Sequence, residues 1–225
     1  MRVYLSYGII SNAVACVNTA LAKHPDDENL LVLGSQVYMS AKLYTNAIAS
    51  IKTAIERHPA DDLAKQFMLA TAAQIHMNAG LFSNAVACID RQLKLNPNNP
   101  QALASKGYAC LQLGAFDQAI TLLTQSLDME TNNTPDLKVA ARLNRAVTYL
   151  RSNKLEPAKR DYETLRKEFP SAYPVYYGLQ DIAYRQKDTN AAIGFCQLYL
   201  TNAPPDTDDA KLVRARLKEL RPAPK

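Results

Sequence analysis

Ser11-Asn-Ala-Val-Ala-Cys16 returns letter for letter as Ser83-Asn-Ala-Val-Ala-Cys88, well inside the chain. A hexapeptide that recurs at a distance marks an internal repeat, and its Ala13 and Ala85 belong to a longer series. Ala13, Ala47, Ala85, Ala119, Ala158 and Ala192 stand 34, 38, 34, 39 and 34 residues apart. A unit of that size is one supersecondary motif, which cannot bury its apolar face alone and stacks on its neighbours.

Fixed offsets from each alanine carry the same residue types. Three positions earlier stand Ile10, Tyr44, Phe82, Phe116, Leu155 and Thr189, mostly large and apolar. Five earlier come Gly8, Gly80 and Gly114, with Lys42, Asn153 and Lys187 in the other units, and nine earlier come Tyr4, Tyr38, His76, Cys110, Tyr149 and Ala183. Twelve later come Pro25, Pro59, Pro97, Pro170 and Pro204, with Thr131 in the fourth unit. Glycine or asparagine between two helix-periodic segments ends a helix and permits a tight turn. Small alanines let two antiparallel helices approach closely, and the large residue three positions earlier fills the wedge beside them. Proline cannot continue a helix, so it closes each unit. Each unit therefore reads as helix, turn, helix and a proline-marked loop. The predicted helices are 1–7, 11–23, 27–40, 44–57, 61–79, 82–95, 99–113, 116–129, 135–152, 155–168, 172–187, 189–202 and 206–220.

The 38- and 39-residue intervals hold four and five extra residues, about one helical turn each. They fall at Asp62–Lys65 and Asn132–Asp136, so the first helices of units three and five are expected to start about a turn early. A longer loop at Asn132-Asn-Thr-Pro135 is the alternative. After Pro204-Pro205, the stretch from Asp206 to Leu220 opens acidic and closes basic, as the helix dipole prefers. Its narrow stripe of Leu212, Leu217 and Leu220 reads as a capping helix. Met1 stands where the first helix of unit one is half finished, so that helix is short or the chain is cut from a longer protein. The second reading is the one expected here.

This pattern resembles the tetratricopeptide repeat family over essentially the whole chain. Gly107, Gly114-Ala-Phe116 and Ala119 carry it in unit four, and Tyr38, Tyr44, Ala47, Ala54 and Pro59 in unit two. There is no tryptophan in the chain; Leu31, Leu69, Leu103, Arg142 and Tyr176 occupy the family's usual tryptophan position. The resemblance implies an all-α, right-handed α-α superhelix, a solenoid of about six helix-turn-helix repeats at 1–25, 26–59, 60–97, 98–131, 132–170 and 171–204. These form a single array over 1–220, with the capping helix at 206–220 and a tail at 221–225.

The resemblance also implies that the first helix of each unit lines a concave wall that binds a segment of a partner protein. The expected inward positions are Gln36, Met39 and Ser40, then Gln74, Met77 and Asn78, then Tyr108, Leu111 and Gln112. Asn144, Val147, Leu150 and Arg151 follow, and Tyr177, Asp181, Tyr184 and Arg185 complete the wall. Amides pair with a peptide backbone as donor and acceptor, and tyrosines supply contact area with a hydroxyl to spare. The wall therefore suits a neutral, partly apolar peptide or helix, although some of these side chains can equally be packing between helices. Some family members grip an acidic C-terminal peptide with basic residues and asparagines. Asn144 matches one of those asparagines, but the flanking positions here are Ala104, Tyr108, Pro174 and Gly178, so that mechanism is not expected.

Catalytic patterns are missing. His24 and His58 share one repeat position at helix ends and read as cations favoured by the helix dipole, while His76 replaces a packing tyrosine. Cys16, Cys88, Cys110 and Cys196 form no close metal or redox pair and read as buried free thiols, which favours a reducing, cytoplasmic setting. Neither cofactor nor metal is expected. Lys+Arg 26 against Asp+Glu 21 gives a net charge of +5, mild and scattered, which argues against nucleic acid and membrane surfaces as partners. The expected function is a non-catalytic protein-interaction scaffold. The alternatives are self-assembly through the incomplete first repeat and the accessory domain of a larger enzyme.

Overall fold

The computed structural model describes residues 9–58, 60, 62–129 and 134–221. Among these are twelve α-helices and no strand. They are α1 (Ile10–Lys23), α2 (Glu28–Ser40), α3 (Tyr44–Arg57), α4 (Leu63–Asn78), α5 (Phe82–Leu95), α6 (Pro100–Gln112), α7 (Phe116–Asp128), α8 (Pro135–Arg151), α9 (Leu155–Glu168), α10 (Tyr173–Arg185), α11 (Thr189–Asn202) and α12 (Asp208–Leu220). The helix expected at 1–7, Gly8, Pro59, Thr131 and most of the tail lie outside the described residues.

The repeat signals act as boundaries. Every second helix (α1, α3, α5, α7, α9 and α11) begins three residues before its anchoring alanine. All six of those alanines have 0% of their surface exposed. Second helices end at Lys23, Leu95, Glu168 and Asn202, each two residues before Pro25, Pro97, Pro170 and Pro204. Four first helices open on side-chain caps, Asp27, Asp62, Asn99 and Thr134 each accepting a backbone N–H of the first turn, whereas α10 opens on Ala172 without one.

The turns inside repeats two, three, five and six are Schellman motifs. In repeat two the Leu43 N–H bonds the Tyr38 carbonyl at 2.8 Å and the Lys42 N–H bonds that of Met39 at 3.0 Å. The residue between the helices must then take a left-handed backbone, and it does so whether or not it is glycine. Gly80 and Gly114 have φ of 74° and 78°, and Lys42, Asn153 and Lys187 have 59°, 60° and 60°.

The extra residues of repeats three and five enter their first helices. α4 and α8 are 16 and 17 residues long, whereas α2, α6 and α10 are each 13. Thr134 caps α8 and Pro135 opens it, while Asn132 and Asn133 of the alternative loop reading lie outside the described residues.

The chain divides into two compact units, Met1–Gly114 and Ala115–Lys225, with the boundary at the turn of repeat four. In the first, each of α1 to α6 packs on the next, and the first helices α2 and α4 also touch. Its core runs from Ala13 and Val17 through Leu31, Tyr38, Ile51 and Leu69 to Ile75. In the second, α7 to α12 pack in the same serial manner and α8 touches α10. Tyr162, Leu165, Leu179, Ile182, Cys196, Tyr199 and Val213 build its core. Leu31, Leu69, Leu103 and Tyr176 are buried at the family's tryptophan position, while Arg142 there reaches Glu168 instead.

Candidate functional site

In the first unit, α2 and α4 bound a groove of about 410 Å³. Val32, Leu33 and Gln36 of α2 face Ala64, Phe67 and Met68 of α4, with Glu28 and Asn29 at the α2 N-terminal end. Phe67 is 55% exposed and Leu63, in the first turn of α4, is 80% exposed. Leu63 belongs to the turn that α4 has gained over α2, α6 and α10. Phe67 stands eighteen positions before its anchoring alanine, where the other repeats place Asn29, Gln101, Ala140 and Pro174. All four of those residues are exposed, as their polarity or small size suits. Phenylalanine at a position that faces water in every repeat is the signal that sequence reasoning passed over.

Of the expected wall residues in this unit, Gln36 lines the groove and Met39 is half-buried against the core. The Gln74 amide donates to Asn78 Oδ1 at 2.8 Å, so these two satisfy one another. Met77 is half-buried, and Tyr108 sits edge-on to Phe82 with ring centroids 6.2 Å apart. Gln112 is exposed. Leu111 is 1% exposed and is a core residue rather than an open wall position.

One end of the groove is tied by a histidine. His58, the C-cap of α3, places Nδ1 3.0 Å from Glu28 Oε2 and Nε2 2.9 Å from Asp62 Oδ1. The Asp62 oxygen also accepts the Lys65 backbone N–H at 3.0 Å as the cap of α4. Hydrogen bonds to Asp62 and Glu28 hold the imidazole above its ordinary pKa. The Lys65 N–H and the imidazole hold the Asp62 carboxyl below its own. His24 caps α1 in the equivalent place and is exposed. His76 is half-buried with a lowered pKa from burial, and its Nδ1 has no hydrogen-bond partner among the described residues.

In the second unit, α12 lies over the residues expected to face a partner. Asp181 accepts from Arg216 Nη1 at 2.9 Å and pairs with Arg185 Nη2 at 2.8 Å. The Tyr184 hydroxyl donates to Glu219 at 2.9 Å, while the Arg216 guanidinium lies 4.4 Å from the centre of the Tyr184 ring. Tyr177 is half-buried, 5.7 Å from the Tyr199 ring centre, and shares a cavity of about 260 Å³ with Leu212, Val213 and Arg216. Arg185 also reaches the Leu150 carbonyl at 3.3 Å. These four side chains are engaged within the chain: the helix that follows the last repeat supplies partners to Asp181 and Tyr184 and packs beside Tyr177, while Arg185 is held by Asp181 and the Leu150 carbonyl. Asn144 is half-buried, and Arg151 stacks over Phe116 at 5.4 Å.

The remaining polar chemistry is structural. Arg145 grips Asp161 with two bonds of 2.8 Å and adds Thr124 at 3.1 Å, joining α7, α8 and α9. Cys110 and Cys196 are buried thiols whose pKa burial raises, and Cys88 is half-buried. Cys16 departs from the expected burial and is exposed, because it follows Ala15 on the outer side of α1. Among the described residues no three His, Cys, Asp or Glu side chains gather to hold a metal ion. No described helix is long and apolar enough to cross a membrane.

Comparison with known proteins agrees with this architecture. The family profile described as Tetratricopeptide repeat matches residues 71–133 and 143–207. No curated protein matches the chain. Among solved structures, a tetratricopeptide repeat protein from Parabacteroides merdae ATCC 43184 aligns at TM-score 0.78 and 20% identity, over 96% of this chain and 82% of that one. The APC/C hetero-tetramer Cut9-Hcn1 aligns at TM-score 0.74 and 16% identity, over 96% of this chain and 40% of that one. YrrB, described as a protein of this repeat class with an unusual peptide-binding site, aligns at TM-score 0.63 and 14% identity, over 88% and 97%. With matched profile segments covering more than half its length, with serial helix pairs and with every anchoring alanine sealed from solvent, the chain belongs to the tetratricopeptide repeat family.

Proposed function

We propose that this protein is a non-catalytic scaffold whose α2–α4 groove receives an apolar or amphipathic segment of a partner protein. Tetratricopeptide repeats are protein-interaction modules, and one observation selects this groove from the rest of the surface. Phe67 and Leu63 stand in water beside an apolar cleft, at positions where the other repeats need no large apolar side chain. Withdrawing one such side chain from water contributes about 1.5–3 kcal/mol, which is enough to anchor a partner helix or extended peptide. Gln36 and Asn29 supply donors and acceptors for its backbone or polar edge. The description of YrrB as peptide-binding, and the joint presence of Cut9 and Hcn1 in one assembly, are in keeping with that mode of use.

A displayed peptide library selected on the full chain tests the reading. Selected peptides are expected to lose about tenfold or more in affinity on Phe67→Ala, with helix content by circular dichroism unchanged. Peptides that bind Phe67→Asp as well as the parent chain would place the site elsewhere. The same exposed pair would also serve self-association, and light scattering over a concentration series separates the two.

A further inference from the structure

We propose that His58 is a protonation-controlled clasp on the α2–α4 groove, closing its acidic end when charged and releasing it when neutral. The proposal concerns regulation of the groove, and its consequence for a partner rests on the reading above.

The argument begins with donors and acceptors. Both ring nitrogens of His58 lie within hydrogen-bond distance of a carboxylate oxygen, Glu28 Oε2 at 3.0 Å and Asp62 Oδ1 at 2.9 Å. A neutral imidazole has one N–H and one lone pair, so it satisfies one of these contacts and turns a lone pair toward the other carboxylate. Only the imidazolium donates to both. The arrangement therefore belongs to the protonated ring.

The positions of the two carboxylates give the clasp its target. Glu28 is the first residue of α2 and lines the groove, and Asp62 caps α4, whose first two turns carry Leu63, Ala64, Phe67 and Met68. His58 itself ends α3, so one ring joins three helices at the groove's end. The C-terminus of α3 further favours the positive ring. The side chains of His58, Glu28 and Asp62 are 15%, 34% and 50% exposed. The ring is thus largely sheltered while remaining open to proton exchange.

Among the described residues, the other charged groups around the ring leave this pairing intact. On the α2 side, Asp27 accepts the Leu30 N–H as a helix cap, and Asp26 is paired with Arg57, the last residue of α3. On the α4 side Lys65 is the next charged residue after Asp62. The two carboxylates facing the ring hold it above its ordinary pKa of 6.5. The clasp is accordingly complete below that value and is lost as pH rises through the elevated one. Loss of the proton leaves one carboxylate facing a lone pair, and the wall bearing it is released from α3.

The chain has no tryptophan, so Phe67→Trp gives a fluorescence reporter specific to the groove. On the 225-residue chain, its emission maximum is expected to shift between about pH 5.5 and 8.5 with one midpoint above 6.5, while far-ultraviolet circular dichroism stays constant. The shift is expected to vanish in Phe67→Trp/His58→Gln, and Glu28→Gln provides a second variant if that double variant does not fold. An emission maximum indifferent to pH, or an equal shift without His58, overturns the clasp. So does a His58 ring that titrates at or below 6.5 by NMR. A selected peptide separates the two proposals. Peptide binding that needs Phe67 on a chain with no emission shift keeps the groove and removes the clasp. An emission shift on a chain whose peptides ignore Phe67 keeps the clasp and removes the groove.

Discussion

At Gly178 a single hydrogen atom decides whether two helices can meet. A Cβ built there would lie 2.1 Å from Cζ of Tyr162, whose ring is 2% exposed and wedged between α9 and α10. That ring cannot retreat into solvent, so Gly178→Ala is expected to cost about 3 kcal/mol through forced repacking, read as a lower urea midpoint. Gly194 in α11 is the control. Nothing lies within 4 Å of its would-be Cβ, and Gly194→Ala is expected to stabilise by about 0.5–1 kcal/mol through helix propensity. A destabilised Gly194→Ala or an unaffected Gly178→Ala would contradict this account. The anchoring alanines were legible in the sequence because close packing admits no larger residue, and periodicity exposes such a demand. The Gly178–Tyr162 contact was not, because it joins side chains of neighbouring repeats and leaves no mark at a repeating interval.

Helix pairs are held by a turn whose geometry overrides residue preference. Lys42, Asn153 and Lys187 take the same left-handed backbone as Gly80 and Gly114, with φ near 60°. An L-residue other than glycine costs roughly 1–2 kcal/mol there. Lys187→Gly is therefore expected to raise stability by about 1 kcal/mol, the gain being reduced by the greater freedom of glycine in the unfolded chain. Thermal unfolding measures it, and a fall in midpoint would show that the Lys187 side chain contributes more than its backbone strain removes. Helix starts and stops were legible at this scale because alanine, glycine and proline act locally. The contacts of α12 were not. Arg216 and Glu219 look in the sequence like ordinary solvated charges, and only their placement against Asp181 and Tyr184 reveals that they cover the face of α10. Phe67 stands out only beside the residues at its own register in the other repeats, a comparison that helix period does not make.

Within each unit of the whole molecule, packing is serial, so local damage should remain local. In Gly178→Ala, hydrogen exchange is expected to quicken from α8 to α12 while the amides of α2 to α4 keep their parental rates. Uniform acceleration throughout the chain would show a cooperativity that near-neighbour packing does not supply. The family, the fold and the general class of use were legible because they depend on a residue pattern that recurs in six units. The groove was not, since it arises where one repeat departs from the others.

That departure has a bearing on how such proteins diversify. The added turn of α4 precedes the register that α4 shares with α2, α6 and α10, so it lengthens one helix while the spacing from there to the anchoring alanine stays the same. Leu63 rides on it. A lineage can thus rewrite recognition on a single rung by inserting or deleting one turn, while the inherited framework goes undisturbed.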